Sequence, residues 1–161
     1  MASLPNWHPF LVHFPIALYT SAFVCDVSLL VRFRRGWLDR ASVLLYVSAA
    51  LTSGAAALSG KSAADAMADS LAPGVHEAVA LHGEWAFFSV VLLFVVAAMR
   101  FDTTWRDRRG AHPTLHRMRL ATIAVSMVAL GVVVNTAGRG GELVYRYRVA
   151  VQDRGIIPER R

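Results

Sequence analysis

Four apolar runs, each close to the length that crosses a bilayer, are separated by links into which almost all the charge is gathered. No other feature constrains the fold as tightly. A hydrocarbon core about 30 Å thick takes roughly 20 residues of helix, and a helix is one of only two structures that satisfy their own backbone there. The runs cover about 10–31, 41–58, 79–99 and 120–137. Stretches such as "FFSVVLLFVVAAM" and "ATIAVSMVALGVVV" lack the charged face that a surface helix of a soluble bundle carries. Of the 161 residues 55% are hydrophobic, yet 17 are Lys or Arg. Charge on that scale coexists with a mean hydropathy of +0.43 only when the two are segregated. The expected fold class is all-α, an integral membrane four-helix bundle over residues 1–145 followed by a basic C-terminal tail, 146–161.

The links also predict an orientation. "RFRRGWLDR" sets Arg32, Arg34, Arg35 and Arg40 against Asp39, and the third link sets six Arg against Asp102 and Asp107. The middle link has only Lys61 among Asp65, Asp69 and Glu77. The positive-inside rule then places the Arg-rich links in the cytoplasm and both termini on the outer, periplasmic side of a bacterial cytoplasmic membrane. The basic tail opposes this, but a long tail crosses with less regard to charge than a short link. The first nine residues hold no Lys or Arg, so the first run reads as a retained helix and not as a cleaved signal. The single cysteine, Cys25, excludes an intrachain disulfide and a c-type haem attachment. Arginines beside helix ends point to lipid headgroups as the charged partner, not to nucleic acid. Within the flanks, "KSAADAMADSLAPGV" reads as a short surface helix ended by Pro73-Gly74, and "RGGELVYRYRVAV" as an extended segment or hairpin.

Histidines carry the chemistry. His8, His13, His76 and His82 all fall at the outer end of the first or third helix. Pro9 suits a first helical turn, which puts His8 at the cap. Pro15 has no N–H for the Leu11 carbonyl and favours a kink there, with His13 one turn inside and aimed into the bundle. His82 sits at a matching depth on the third helix, and His76, about 600° of helix rotation away, does not share its face. Gly83 would allow close approach of a flat macrocycle. Three readings stay open. One is a haem b held by His13 and His82 as axial ligands. The second is a Zn or Cu site built from His8, His13, His76 and His82. The third has no cofactor, the imidazoles bonding to backbone or headgroups.

The motifs "HPFLVHFPIAL" and "GGELVYRYRVAV" resemble those of a bacterial family of four-helix membrane proteins, domain-of-unknown-function family 2231, and the resemblance spans nearly the whole chain. It implies a four-helix membrane fold, an association with redox proteins, and haem binding through the histidines of the first motif, here His8 and His13. Gly140, Gly141, Leu143, Val144 and Tyr145 match the closing motif. Arg148 and Ala150 stand where the family has glycines.

Among the remaining polar residues, Asp26 lies well inside the first helix and is expected to pair with Arg32 or Arg40 at the interface, the alternative being a proton relay. Glu84 is too close in sequence to His82 to share its face. Arg139 is placed to meet a haem propionate or to anchor at the interface. Trp7, Trp37, Trp85 and Trp105 fall near helix ends, as interfacial belts require. The expected function is that of a b-type, multi-pass electron-transfer protein or subunit linking a membrane donor or quinone to a periplasmic redox partner. The alternative is a non-catalytic anchor or assembly subunit that docks through the small-residue face of the second helix and the basic tail.

Overall fold

The computed structural model describes residues 7–31, 36–110 and 112–149. Arg32, Arg34 and Arg35 of the first link, and most of the basic tail, lie outside the described residues. Regular structure within them is helical throughout: α1 (His8–Leu11), α2 (His13–Val31), α3 (Gly36–Met67), α4 (Pro73–Arg108) and α5 (His112–Tyr145), with a 3-10 turn at Ala68–Ser70. Four spans are long and apolar enough to cross a membrane, as the hydropathy predicts. The break between α1 and α2 falls at Val12. That is one residue from the Leu11 carbonyl, the acceptor that Pro15 leaves without its helical donor.

The helices outrun the apolar runs. α3 continues to Met67, so the expected separate surface helix is the last two turns of α3, steadied by a Lys61–Asp65 pair at 3.1 Å. Pro73-Gly74 opens α4 instead of closing a helix, because proline in a first turn forfeits no hydrogen bond. α5 carries straight through "RGGELVY", correcting the extended reading up to Tyr145. Leu143 is buried one turn beyond Gly140, and this packing holds a segment whose glycines alone would disfavour helix.

The α2 helix packs on α3, α3 on α4, α4 on α5, and α5 returns to α2. Each contributes one inward stripe at spacings of three and four. Tyr19, Ala22 and Asp26 are buried from α2; Ser42, Tyr46, Ala49, Ala50, Ser53 and Ala56 from α3. Ser89, Leu93, Val96 and Arg100 come from α4, and Thr122, Ser126, Ala129 and Val133 from α5. Small residues let the backbones approach closely, the usual basis of helix packing in lipid. Of the small residues on the second span, Ser53 and Ala56 are buried in the bundle, while Ser48 is exposed and Thr52, Gly54 and Ala57 are half-buried. At mid-bundle the Tyr19 and Tyr46 rings meet edge to face at 5.2 Å. Tyr19 donates to the Ser126 carbonyl at 3.1 Å, and the Tyr46 and Ser126 hydroxyls lie 3.3 Å apart. These contacts pin α2, α3 and α5 together, and they satisfy hydroxyls that lipid could not.

Large apolar side chains face outward. Leu44, Leu51, Phe87, Phe88, Met127, Val128 and Val134 are all more than half exposed. A soluble monomer does not present so continuous an apolar belt; a bilayer covers it.

Candidate functional site

Followed in steps of seven, about two helical turns, the inward stripes lead to a histidine or a glycine at one end of the bundle. His8 lies seven residues before buried Pro15, Gly60 seven past Ser53, His82 seven before Ser89, and Gly140 seven past Val133. These four residues form the histidine end of the bundle, where the described chain termini also lie. About 27 Å away, the 18-residue rise along α4 from His82 to Arg100, lies the arginine end.

At the histidine end His8 is half-buried against α3. Its Nδ1 stands 2.9 Å from the Ala56 carbonyl oxygen and 3.1 Å from Ser59 Oγ. A carbonyl only accepts, so Nδ1 carries a hydrogen toward it. This is the arrangement in which a backbone partner fixes the tautomer of a ligating histidine. The ring packs on Gly60, where an added Cβ would stand 2.8 Å from His8 Cε1. Across from it, His82 is half-buried on α4 and packs on Gly140 of α5, where a Cβ would stand 3.2 Å from His82 Cε1. Each imidazole thus occupies a notch made by a glycine of the facing helix. The two ring centres are 6.4 Å apart, with planes crossed at 77°.

Two polar atoms here are buried without a hydrogen-bond partner: Nδ1 of His82 and Nε of Arg139. Buried polar atoms are nearly always paired in a folded protein, so each is open to a water or a ligand group. The Arg139 guanidinium stacks over Trp85 at 5.3 Å and borders a cavity of about 260 Å³ that Glu77, Leu81 and Tyr147 also line. Beneath the histidines, the Ser89 and Thr136 hydroxyls meet at 2.9 Å, and Thr136 donates to the Trp85 carbonyl at 3.1 Å. The α4–α5 pair is locked at the level of His82.

The other expected residues fall elsewhere. His13 is exposed on α2 and not aimed into the bundle. It precedes buried Pro15 by two residues, about 200° around the helix, so it takes the opposite face. The ring beside His82 is therefore that of His8 and not His13. His76 and Glu84 are exposed, and Gly83 has open space around it. Nothing in apolar periodicity distinguishes His8 from His13, because both faces of the helix are apolar. The signal was available only by counting back from the polar Asp26, which His8 precedes by 18 residues, about five full helical turns.

Gly60→Ala is expected to lower stability by about 1–3 kcal/mol through the forced ring shift, read as thermal unfolding in detergent. Gly54→Ala, where nothing lies within 4 Å of the new Cβ, is expected to stabilise by up to about 1 kcal/mol from helix propensity. Equal responses of the two variants would refute the notch.

At the arginine end, Asp26 is buried and its partner among the described residues is Arg100, not Arg40; Arg32 lies outside the described residues. Arg100 Nε donates to Asp26 Oδ1 at 2.7 Å, Nη2 to Asp39 Oδ1 at 2.7 Å, and Nη1 to Thr104 Oγ1 at 2.7 Å. Ser42 donates to the same Asp26 oxygen. Arg119 extends the network from α5, with Nη2 at 3.0 Å from Asp107 and 3.7 Å from Asp39. Directly after an apolar run, Arg100 reads as the first residue of a link. Its place on the stripe with Val96 and Leu93 makes it an inward residue instead.

A family model described as "Predicted membrane protein (DUF2231)" matches residues 5–153. No curated protein and no solved structure matches the chain.

Proposed function

The chain belongs to the DUF2231 family of predicted membrane proteins, and from that premise we propose that its histidine end holds a b-type haem between His8 and His82. It passes electrons between a membrane donor or quinone and a redox partner on the periplasmic face of the bacterial cytoplasmic membrane. The observation that carries this reading is the facing pair of imidazoles, 6.4 Å between ring centres, each seated on a glycine of the opposite helix. Two imidazoles bound across one metal atom, at about 2 Å on each side, stand with centres about 6 Å apart.

The donor set favours haem over a bare ion. Zinc sites are built from three or four protein ligands, and among the described residues no group of three His, Cys, Asp or Glu converges. A pair of histidines suits a group that brings its remaining four ligands with it. When bound, haem supplies a one-electron couple whose potential follows from its axial ligands and surroundings. The chain's own share is positional. Ala56 and Ser59 hold the His8 ring in one tautomer, Gly60 and Gly140 admit both rings, and the Ser89–Thr136 contact keeps α4 and α5 in register. His82 Nδ1 and Arg139 Nε are the buried atoms in want of partners; an arginine cation in that position suits a carboxylate such as a propionate. The positive-inside rule puts this end on the outer face.

A dithionite-reduced minus oxidised visible spectrum of the detergent-purified protein, expressed with haem supplied, tests the proposal. A sharp low-spin b-type spectrum, with one haem per chain by pyridine haemochrome, is expected. A colourless protein would sink it.

A further inference from the structure

We infer that the cavity at the arginine end is a site for the phosphate headgroup of an anionic phospholipid. The cavity encloses about 660 Å³ where α2, α3, α4 and α5 converge. On its inner side Arg100 and Arg119 are engaged by Asp26, Asp39 and Asp107, which closes the network as far as the buried acids reach. Arg40, Arg108 and His116 line the same cavity. All three are exposed, and none has an acidic partner among the described residues. Arg119 adds a buried Nε without an acceptor. The cavity therefore holds unanswered donors and an excess of positive charge, and the acids that could neutralise it are already taken.

Phosphate oxygens answer guanidinium groups in the bidentate way that arginine favours. The remaining wall decides what carries the phosphate. Leu29 and Leu30 line the cavity from α2, and Leu30 is 42% exposed, part of the apolar belt of that helix. A ligand with a charged head and hydrocarbon chains meets both walls, whereas inorganic phosphate meets only the arginines. Basic pockets between membrane helices on the Arg-rich side are suited to anionic headgroups in this way. The inference does not rest on the haem reading, since the two ends are separate and use no residue in common.

Native mass spectrometry of the full chain in detergent, titrated with phosphatidylglycerol or with phosphatidylcholine, tests it. One retained phosphatidylglycerol per chain is expected, with roughly tenfold preference over phosphatidylcholine. An Arg40→Gln/Arg108→Gln double variant is expected to lose that preference while keeping its far-UV circular dichroism, because both side chains are exposed. Arg106→Gln, whose arginine pairs with Asp102 at 2.8 Å and does not line the cavity, is expected to keep it. Equal retention of the two lipids, or a double variant that binds like the wild type, would overturn the inference. So would competition by millimolar inorganic phosphate as effective as that of lipid, which would assign the cavity to the free anion.

Discussion

Arg100→Met is expected to destabilise the fold by about 3–5 kcal/mol, among the largest losses a single side chain of this protein can cause. The methionine fills most of the volume, so the loss arises from charge. Asp26, 6% exposed, then keeps only the Ser42 hydroxyl as a partner among the described residues. A buried carboxylate without its cation costs more than the intact pair contributes, because desolvation is no longer offset. Asp39 loses its 2.7 Å bond at the same time, although its place nearer the exit, with Arg119 at 3.7 Å, softens that part. In a thermal melt in detergent the change corresponds to a fall of about 10 °C. Arg100→Lys is expected to recover only part of this, since an ammonium cannot reach Asp26, Asp39 and Thr104 together as the planar fork does. The discriminating variant is Arg100→Met/Asp26→Asn. If the damage comes from the orphaned carboxylate, the double variant is more stable than Arg100→Met alone. A double variant that melts no higher than the single one would mean that the guanidinium acts by packing, and the electrostatic account would fall.

Asp26 and Arg100 also mark where the sequence is readable and where it is not. Hydropathy identifies segments that sit in hydrocarbon, and it found all four spans because the charges lie at their ends. It does not measure helix length. The polar turns that carry α3 to Met67, start α4 at Pro73 and extend α5 to Tyr145 stand beyond the apolar runs, where helix is held by packing and ion pairs. Facing is harder still. In a soluble helix the polar face is the solvent face, but here the lipid face and the core face are both apolar, and the stripe is visible only through its few polar members. Asp26, Tyr19 and Pro15 define it on α2 and lead back to His8; Arg100, Ser89 and His82 define it on α4. A histidine within an apolar run draws attention to itself, as His13 does, yet its side of the helix follows from the stripe and not from its depth. Arg100 is the converse case, since it borders a charged link in sequence while the fold turns it inward.

The second large effect is expected at the other end. His82→Ala and His8→Ala should each abolish the low-spin b-type spectrum, while His13→Ala should leave its amplitude within roughly a tenth of the wild type, on the ordinary expectation that an exposed substitution perturbs little. The asymmetry between His8 and His13 is the substance of the prediction, because the two lie five residues apart in one motif. His8 faces His82 from a glycine notch and has its Nδ1 fixed by Ala56 and Ser59; His13 is on the outer surface of α2. A ligand must both point at the iron and be held there, and of these two only His8 has a backbone acceptor among the described residues. Weak retention of haem with a high-spin spectrum would count as loss of the wild-type signature. Imidazole added to His8→Ala is expected to restore part of the low-spin band by entering the vacated space beside Gly60, which a variant that merely misfolds would not allow. Should His13→Ala bleach the protein while His8→Ala remains coloured, the start of α2 must rotate on cofactor binding, and the pairing drawn from the 6.4 Å contact would be wrong. If all three variants stay coloured, the haem is held elsewhere, and the glycine notches serve only to pack the helices.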